Sequence, residues 1–359
     1  MSSDVPYSRV DRWIHRLAFH NALLREMLAD GEQKLKPKWA DYRAARPIFI
    51  TSLPRAGTTI ILEAMHRLPG LASHTYRDMP FVVTPVLWDK LSSKFRRKSA
   101  LKERAHGDGL EVDEDSPEAF EEVLWCEHFR QKYAGDRISL WSASDADAEF
   151  RDFFTEHMKK IVSLRQASFP ADGRYLSKNN GNIARLDLLP ILFPDACILV
   201  PVRDPFEHAI SMHVQHCNFK DQHGDDPFSQ EYMSDIGHFE FGALHKPFDF
   251  PNLGELIEGL APDSVDYWLA YWIAAFEHVA TLDGVGFVRY EELCTAGVKG
   301  LQRVCKSLGV AADSEELQDA AAVFRSPPPP RADSVDFRSD LRERALVAWQ
   351  GVLSRCTED

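Results

Sequence analysis

A short apolar run that breaks into a Gly-Thr turn constrains this chain more than any other stretch. Ile48-Phe49-Ile50 follows Pro47 and leads through Thr51-Ser52 into Leu53-Pro54-Arg55-Ala56-Gly57-Thr58-Thr59. A helical pattern of Ile60, Ile61, Leu62, Ala64, Met65 and Leu68 then runs to Pro69-Gly70. The run predicts a buried strand, and the spacing after it predicts a helix that Pro-Gly stops. A glycine at a strand-to-helix turn lets backbone N–H groups converge on an anion, and the helix N-terminus adds a favourable dipole. Thr58 and Thr59 bring hydroxyls, and Arg55 brings a permanent, forked cation. A nucleoside-triphosphate loop requires Gly-x-x-x-x-Gly-Lys-Ser/Thr. Here Ser52 takes the first glycine position and Thr58 the lysine position, which argues against an ordinary kinase or ATPase. Taken alone, the loop fits either an anion cradle or a plain turn into a core helix.

The same logic recurs downstream. Cys197-Ile198-Leu199-Val200-Pro201-Val202 reads as a buried strand, Arg203-Asp204-Pro205 as the turn, and about 205–216 as a helix carrying Ser211, eight positions after Arg203. Ligands of open α/β sheets lie outside the carboxyl ends of the strands. Two anion sites at two strand ends imply a ligand with two separated phosphates. Further strands are predicted at Arg174–Lys178 and 285–290. Helices are predicted at 8–30, 116–130, 149–168, 181–192, 264–281, 291–308, 313–324 and 335–355. Strands alternating with helices point to a parallel, P-loop-like α/β sheet flanked by helices. A single domain is expected, with a core at about 45–310, an N-terminal helix at 8–30, a C-terminal helical extension at 313–355 and a loop cap at 218–252. Lys94, Arg96, Arg97, Lys98, Lys102 and Arg104, followed by an acidic run from Glu111 to Asp115, suggest a solvated loop or lid. Pro327–Pro330 suggests a stiff spacer or a ligand-side loop.

Composition removes several classes. The net charge of -13 disfavours a nucleic-acid partner, because phosphate backbones demand a basic face. No apolar run approaches the ~20 residues of a membrane span, and the first residues lack an apolar signal core. The six cysteines are scattered without a Cys-x-x-Cys pair, which fits a reducing cytoplasm and no structural zinc. His213, His216 and His223 form no complete metal set and are expected on a helix surface or substrate loop.

Together these residues resemble the sulfotransferases that use 3′-phosphoadenosine-5′-phosphosulfate. Pro54-Arg55-Ala56-Gly57-Thr58-Thr59 resembles the family's 5′-phosphosulfate loop in its Pro-Arg-Ser-Gly-Thr-Thr form, found in tyrosylprotein and bacterial carbohydrate-type members. Val202-Arg203-Asp204-Pro205 through Ser211 resembles the 3′-phosphate motif, preceded by Ser177-Lys178-Asn179 and Phe193-Pro194-Asp195-Ala196. Val288-Arg289-Tyr290-Glu291-Glu292-Leu293 resembles the late strand near the nucleoside. The resemblance implies one-step sulfuryl transfer to a hydroxyl or amine of a small-molecule, carbohydrate or lipid acceptor, without a metal. It implies that the backbone of Arg55, Ala56, Gly57, Thr58 and Thr59, with the Thr58 and Thr59 hydroxyls, holds the 5′-phosphosulfate, and that Arg55 stabilises the sulfuryl group or the leaving phosphate. Arg203 and Ser211 would hold the 3′-phosphate. Lys178 is either a cation near the transferring group or an exposed strand-end lysine. Arg289 and Tyr290 are candidates for the nucleoside or for strand-end packing.

The acceptor needs a proton acceptor within hydrogen-bond reach. In heparan-type members a glutamate stands three residues before a phenylalanine. Asp78 stands three before Phe81 and is the first candidate, ahead of His74. The alternative for Asp78 is a cap or ion pair. Glu121 and Glu122 are expected to be solvated, with contact to a polar acceptor as the alternative. Phe239, Phe241, Phe248 and Phe250, with His238 and His245, either floor an acceptor site or pack locally. The competing readings are a divergent kinase or nucleotide hydrolase, and an inactive nucleotide-binding protein.

Overall fold

The apolar runs become parallel strands whose alternate side chains enter two different cores. The computed structural model describes residues 9–93, 102–103, 111–165, 173–225, 227–327 and 329–356. Helices α1 (Arg9–His20) and α2 (Ala22–Gln33) lead to β1 (Ile48–Ile50), α3 (Thr58–His66), β2 (Leu71–Ala72) and α4 (Pro85–Ser92). A separate antiparallel pair, β3 (Lys102–Glu103) and β4 (Glu111–Val112), precedes α5 (Glu122–His128) and α6 (Ala148–Arg165). The chain continues through β5 (Arg174–Lys178), α7 (Leu189–Leu192), β6 (Cys197–Val202), α8 (Pro205–Asp225), α9 (Pro227–Asp235) and α10 (Leu253–Leu256). It ends with α11 (Val265–Val279), β7 (Val285–Arg289), α12 (Tyr290–Ala296), α13 (Val298–Leu308), α14 (Ser314–Ala321) and α15 (Ser339–Leu353). The sheet order is β2-β5-β1-β6-β7, all parallel, so β1 is central.

Strand side chains alternate between faces. Ile48 and Ile50 of β1 join Leu176 and Leu199 beneath α3, α13 and α14, with Ile61, Met65, Leu301 and Leu317. Phe49 points the other way, into a larger core with Tyr175, Val200, Phe154 and Trp272. Both faces are covered, which is why β1 reads as an unbroken apolar run. Helix α11 is buried from Tyr267 to Phe276, as expected of a helix apolar all round. Among the described residues no helix is long and apolar enough to cross a membrane.

Several expectations change. The N-terminal helix is two helices: Asn21 takes an extended conformation and its side chain accepts from the Leu24 N–H, capping α2, which continues past Gly31. Residues 181–192 form a 3₁₀ segment, Asn180–Arg185, and the short α7 rather than one helix. Much of the expected loop at 218–252 is helical, in the end of α8 and in α9. The rest packs locally, with Phe241, Phe248 and Phe250 buried. Helix α1 is clasped to α9 by His15 and His20 on Asp235 and by Arg16 on Glu231. Of the basic stretch 94–104, only residues 102–103 lie within the described residues.

Glu121 and Glu122 are buried, not solvated. Glu121 accepts from Tyr175 Oη at 2.9 Å and Asn182 Nδ2 at 2.6 Å. Glu122 accepts two bonds from the fully buried Arg185, at 2.8 and 2.7 Å. The Arg185 guanidinium lies 4.4 Å from the Trp125 ring centre and 4.3 Å from that of Trp141. Buried carboxylates persist only when paired and hydrogen-bonded. His216 and His223, expected near a surface, are also buried.

Two stability predictions follow from this interior. Arg185→Met leaves the Glu122 carboxylate buried without its cation. It should cost ~3–5 kcal/mol in urea unfolding, and a loss below ~1 kcal/mol would contradict the pairing. The second concerns buried imidazoles. Burial, then the His74 charge, holds His157 well below its ordinary pKa. Burial, with Arg203 adding, pushes His208 down to about 3, and burial pushes His216 down to about 4. An imidazole of depressed folded pKa is protonated first in the unfolded chain, at a pKa of about 6.5. The unfolded state then binds more protons, so stability falls as pH drops below that value towards the folded values. Scanning calorimetry should show Tm flat above pH ~7 and falling from pH ~6.5 to ~4.5. A flat Tm across that window would refute it.

Candidate functional site

The site forms where β1, β5, β6 and β7 end on the same edge of the sheet. After β1, the Thr51 N–H donates to Leu199 O at 3.0 Å, and the chain turns with Arg55 at φ 74° and Gly57 at φ 87°. Gly57 precedes α3, and no side chain caps this helix. Its first-turn N–H groups therefore face the position an anion takes. A Cβ on Gly57 would come within 2.2 Å of Tyr290 Cδ2, so the glycine is required by both its φ and the Tyr290 ring above it. Ala56 is fully buried beside it, and Thr58 is buried.

Beyond β6, Asp204 Oδ1 accepts from the N–H groups of Phe206 and Glu207 and starts α8, with Pro205 in the first turn. That start presents Arg203 and Ser211 to the first loop. Arg203 Nη1 donates to Arg55 O at 3.3 Å, and Arg55 Nε donates to Ser211 Oγ at 3.3 Å. The Arg203 guanidinium lies 5.5 Å from the centre of the Tyr290 ring. Arg55, Gly57, Arg203, Ser211 and Tyr290 therefore share one site. Arg289 does not join them: it is exposed, with its guanidinium 5.9 Å from the Trp349 ring centre of α15.

His208 is a further residue of this site. It lies three positions before Ser211 on α8, and its Nε2–H donates to Pro54 O at 2.8 Å. A ring kept neutral by burial and by Arg203 suits that single-donor task. Its helical spacing from Ser211 is a signal the sequence carried.

On the β5 side, Lys178 pairs in register with Ile50 and is buried. The next residues turn two ways. Asn179 Nδ2 donates to Glu122 at 2.7 Å, while Asn180 faces the loop. Asn180 Nδ2 donates to Glu240 Oε1 at 2.6 Å, and Asn180 Oδ1 accepts from Thr58 Oγ1 at 3.0 Å. An ionised carboxylate only accepts, so Glu240 sets this amide's orientation. The Thr58 hydroxyl proton is thereby committed to Asn180, and the backbone N–H remains for an anion. Thr59 opens the same helix and is half-buried.

Asp78 and His74 lie in a separate, sealed row. Asp78 Oδ2 accepts from His74 Nδ1 at 2.8 Å and from the Thr75 N–H at 3.1 Å. Asp78 Oδ1 accepts from Arg165 at 2.6 Å. His74 Nε2 then lies at hydrogen-bond distance from His157 Nε2, 2.9 Å. Both residues are at most 3% exposed. Burial would raise the Asp78 pKa, but the His74 bond and the Arg165 charge outweigh it and hold the carboxyl well below its usual range. Enclosed by these partners, the carboxylate forms a cap for the turn after β2. Among the described residues His20, Glu231 and Asp235 bring three potential metal-ligand atoms within 4.8 Å of one another. Arg16 already holds Glu231 there.

Residues 47–314 match the model of the sulfotransferase family. The structure is similar to that of sulfotransferase STF9 from Mycobacterium avium, with a TM-score of 0.51 and 14% identity over 99% of this chain and 88% of that one. Sulfotransferase STF1 from Mycobacterium tuberculosis H37Rv aligns with a TM-score of 0.49 and 16% identity over 94% of this chain and 85% of that one. No curated protein sequence matches. The family match spans most of the chain and contains both loops described above, and the chain belongs to the sulfotransferase family.

Proposed function

We propose that the protein transfers the sulfuryl group of 3′-phosphoadenosine-5′-phosphosulfate to a hydroxyl or amine of a small-molecule, carbohydrate or lipid acceptor. The observation that carries this reading is the meeting of Arg55 and Arg203, which are 148 positions apart and joined at 3.3 Å. A donor with phosphates at both ends of a nucleoside needs two such cation-bearing strand ends side by side. In this reading the N–H groups of residues 55–59 at the start of α3 take the 5′-phosphosulfate. Arg55 and Lys178 face the sulfuryl group and the leaving phosphate, and Arg203 and Ser211 take the 3′-phosphate. Tyr290 walls the site over Gly57. Arg289 takes no part. Asp78 and His74 hold the turn after β2.

Sulfuryl transfer resembles phosphoryl transfer in its demands: negative charge spreads over the moving group and the leaving oxygen. Catalysis is then largely positioning and electrostatic stabilisation. Arg55, Lys178 and the α3 N-terminus supply positive potential at an edge walled by buried residues, where each interaction is stronger than in water.

The test is a thermal-shift titration with adenosine 3′,5′-bisphosphate beside ATP with magnesium. A ligand that binds only the native state raises its stability by RT ln(1 + [L]/Kd). The bisphosphate should stabilise selectively; stabilisation by ATP alone, or by neither, would overturn the reading. Arg203→Ala should weaken bisphosphate binding in calorimetry by ~1.5–3 kcal/mol, the scale of a charge-assisted hydrogen bond. Gly57→Ala should weaken it at least tenfold, or about 1.4 kcal/mol, because its Cβ and the Tyr290 ring cannot share the same space. Equal affinity would mean that this turn does not meet the donor.

A further inference from the structure

The carboxylate at the sulfuryl end of the site comes from a segment that neither anion motif contains. Glu240 follows α9, and the segment around it is pinned. Gly237 packs so closely on α5 that a Cβ would fall 2.6 Å from Glu122 Cγ and 2.7 Å from Cys126 Sγ. The Lys246 N–H donates to Phe239 O at 2.8 Å, and His245 Nδ1 donates to Glu240 O at 2.7 Å. Glu240 Oε1 is therefore held on Asn180, two hydrogen bonds from the Thr58 hydroxyl, and Glu240 Oε2 lies 2.7 Å from His238 Nε2. Burial would raise the Glu240 pKa, but His238 and then the Lys178 charge outweigh it and hold the carboxyl well below its usual range.

Four carboxylates enter the choice, three at the turn after β5 and Asp78 in its separate row, and exposure separates them. The side chains of Asp78 and Glu122 are 3% and 9% exposed, Glu121 is 1% exposed, and each is engaged by close partners. The Glu240 side chain is 18% exposed. It is thus the most open of the four, and it lies beside the cation proposed to face the transferring group.

We propose that Glu240 is the catalytic base, receiving the proton of the acceptor hydroxyl, and that His238 holds the carboxylate in place. The inference rests on the sulfuryl-transfer reading above. The acceptor oxygen attacks sulfur, and the new O–S bond forms as the bond from sulfur to the bridging phosphate oxygen breaks. The electron pair of that bond stays on the 5′-phosphate. The acceptor proton passes to Glu240, which later returns it to solvent. Lys178 and His238 both offset the Glu240 charge. An incoming phosphosulfate competes for Lys178, and the carboxylate becomes more basic as that cation turns to the leaving group. A carboxylate here also selects an acceptor that is neutral or cationic at the reacting end and repels an anionic one.

Glu240→Gln tests this, because a glutamine carbonyl keeps the bond from Asn180 while the charge and the base are lost. Two measurements decide. Calorimetry with 3′-phosphoadenosine-5′-phosphosulfate and with adenosine 3′,5′-bisphosphate should show the variant binding the sulfated donor severalfold tighter than wild type, with a smaller gain for the bisphosphate. Transfer of ³⁵S from the donor to 2-naphthol and to water should fall ~10²–10⁴-fold, the usual weight of a general base. Unchanged relative affinities for the two nucleotides, or transfer within about threefold of wild type, would overturn the proposal. Failure of wild type to bind either nucleotide would instead overturn the sulfuryl-transfer reading. If the glutamine variant does not fold, Glu240→Asp withdraws the carboxylate by one methylene and should show the same loss of transfer.

Discussion

The turn after β5 joins the two polar systems on which the rest of the site depends. Asn179 reaches into the interior, where its amide is shared by Glu121 and Glu122. Asn180, the next residue, reaches outward and bridges Thr58 to Glu240. The interior branch is costly to disturb, because Glu122 and Arg185 are buried charges that stay ionised only together. That cost makes the turn rigid. Rigidity is then passed to Lys178, one residue upstream, and to the loop at the start of α3. A site that must place a transferring group to within a fraction of an ångström needs such a support.

Charge is handled locally. The chain carries a net charge of -13, yet Arg55, Lys178 and Arg203 gather at one edge of the sheet. The carboxylates nearest to them are spoken for: Asp78 by Arg165 and His74, Glu122 by Arg185, and Glu240 by His238 and Asn180. The result is a positive edge on a negative protein. The positive potential comes from geometry, through the start of α3 and the closeness of two arginines, and not from composition.

Much of the scaffold was legible in the sequence. Ile48-Phe49-Ile50 and the run from Cys197 to Val202 are apolar on both sides, and only a strand covered on both faces makes use of that. The Gly57 turn and the Asp204-Pro205 start of α8 are local chemistry, written in neighbouring residues. The errors were also local in origin. An amphipathic stripe continued across Asn21, and the stripe did not reveal that the Asn21 side chain would begin a second helix. Adjacent glutamates on a short helix look solvated until Arg185, 63 positions away, is packed against one of them.

The sequence by itself determined the alternation of strands and helices, the central place of the Pro47–Thr59 unit, and the two strand-end turns that carry Arg55 and Arg203. These depend on periodicity and turn stereochemistry, which act over a few residues. Only the tertiary structure decided which carboxylates are sealed and which remain open. Asp78 is closed off by Arg165, 87 positions away; Arg289 turns towards Trp349; and Glu240 is brought to Asn180 across 60 positions. The ionisation and reach of a side chain are set by what packs around it. Those partners are chosen when the sheet, the helices and the segment after α9 come together, because hydrogen bonding and desolvation act through space and not along the chain.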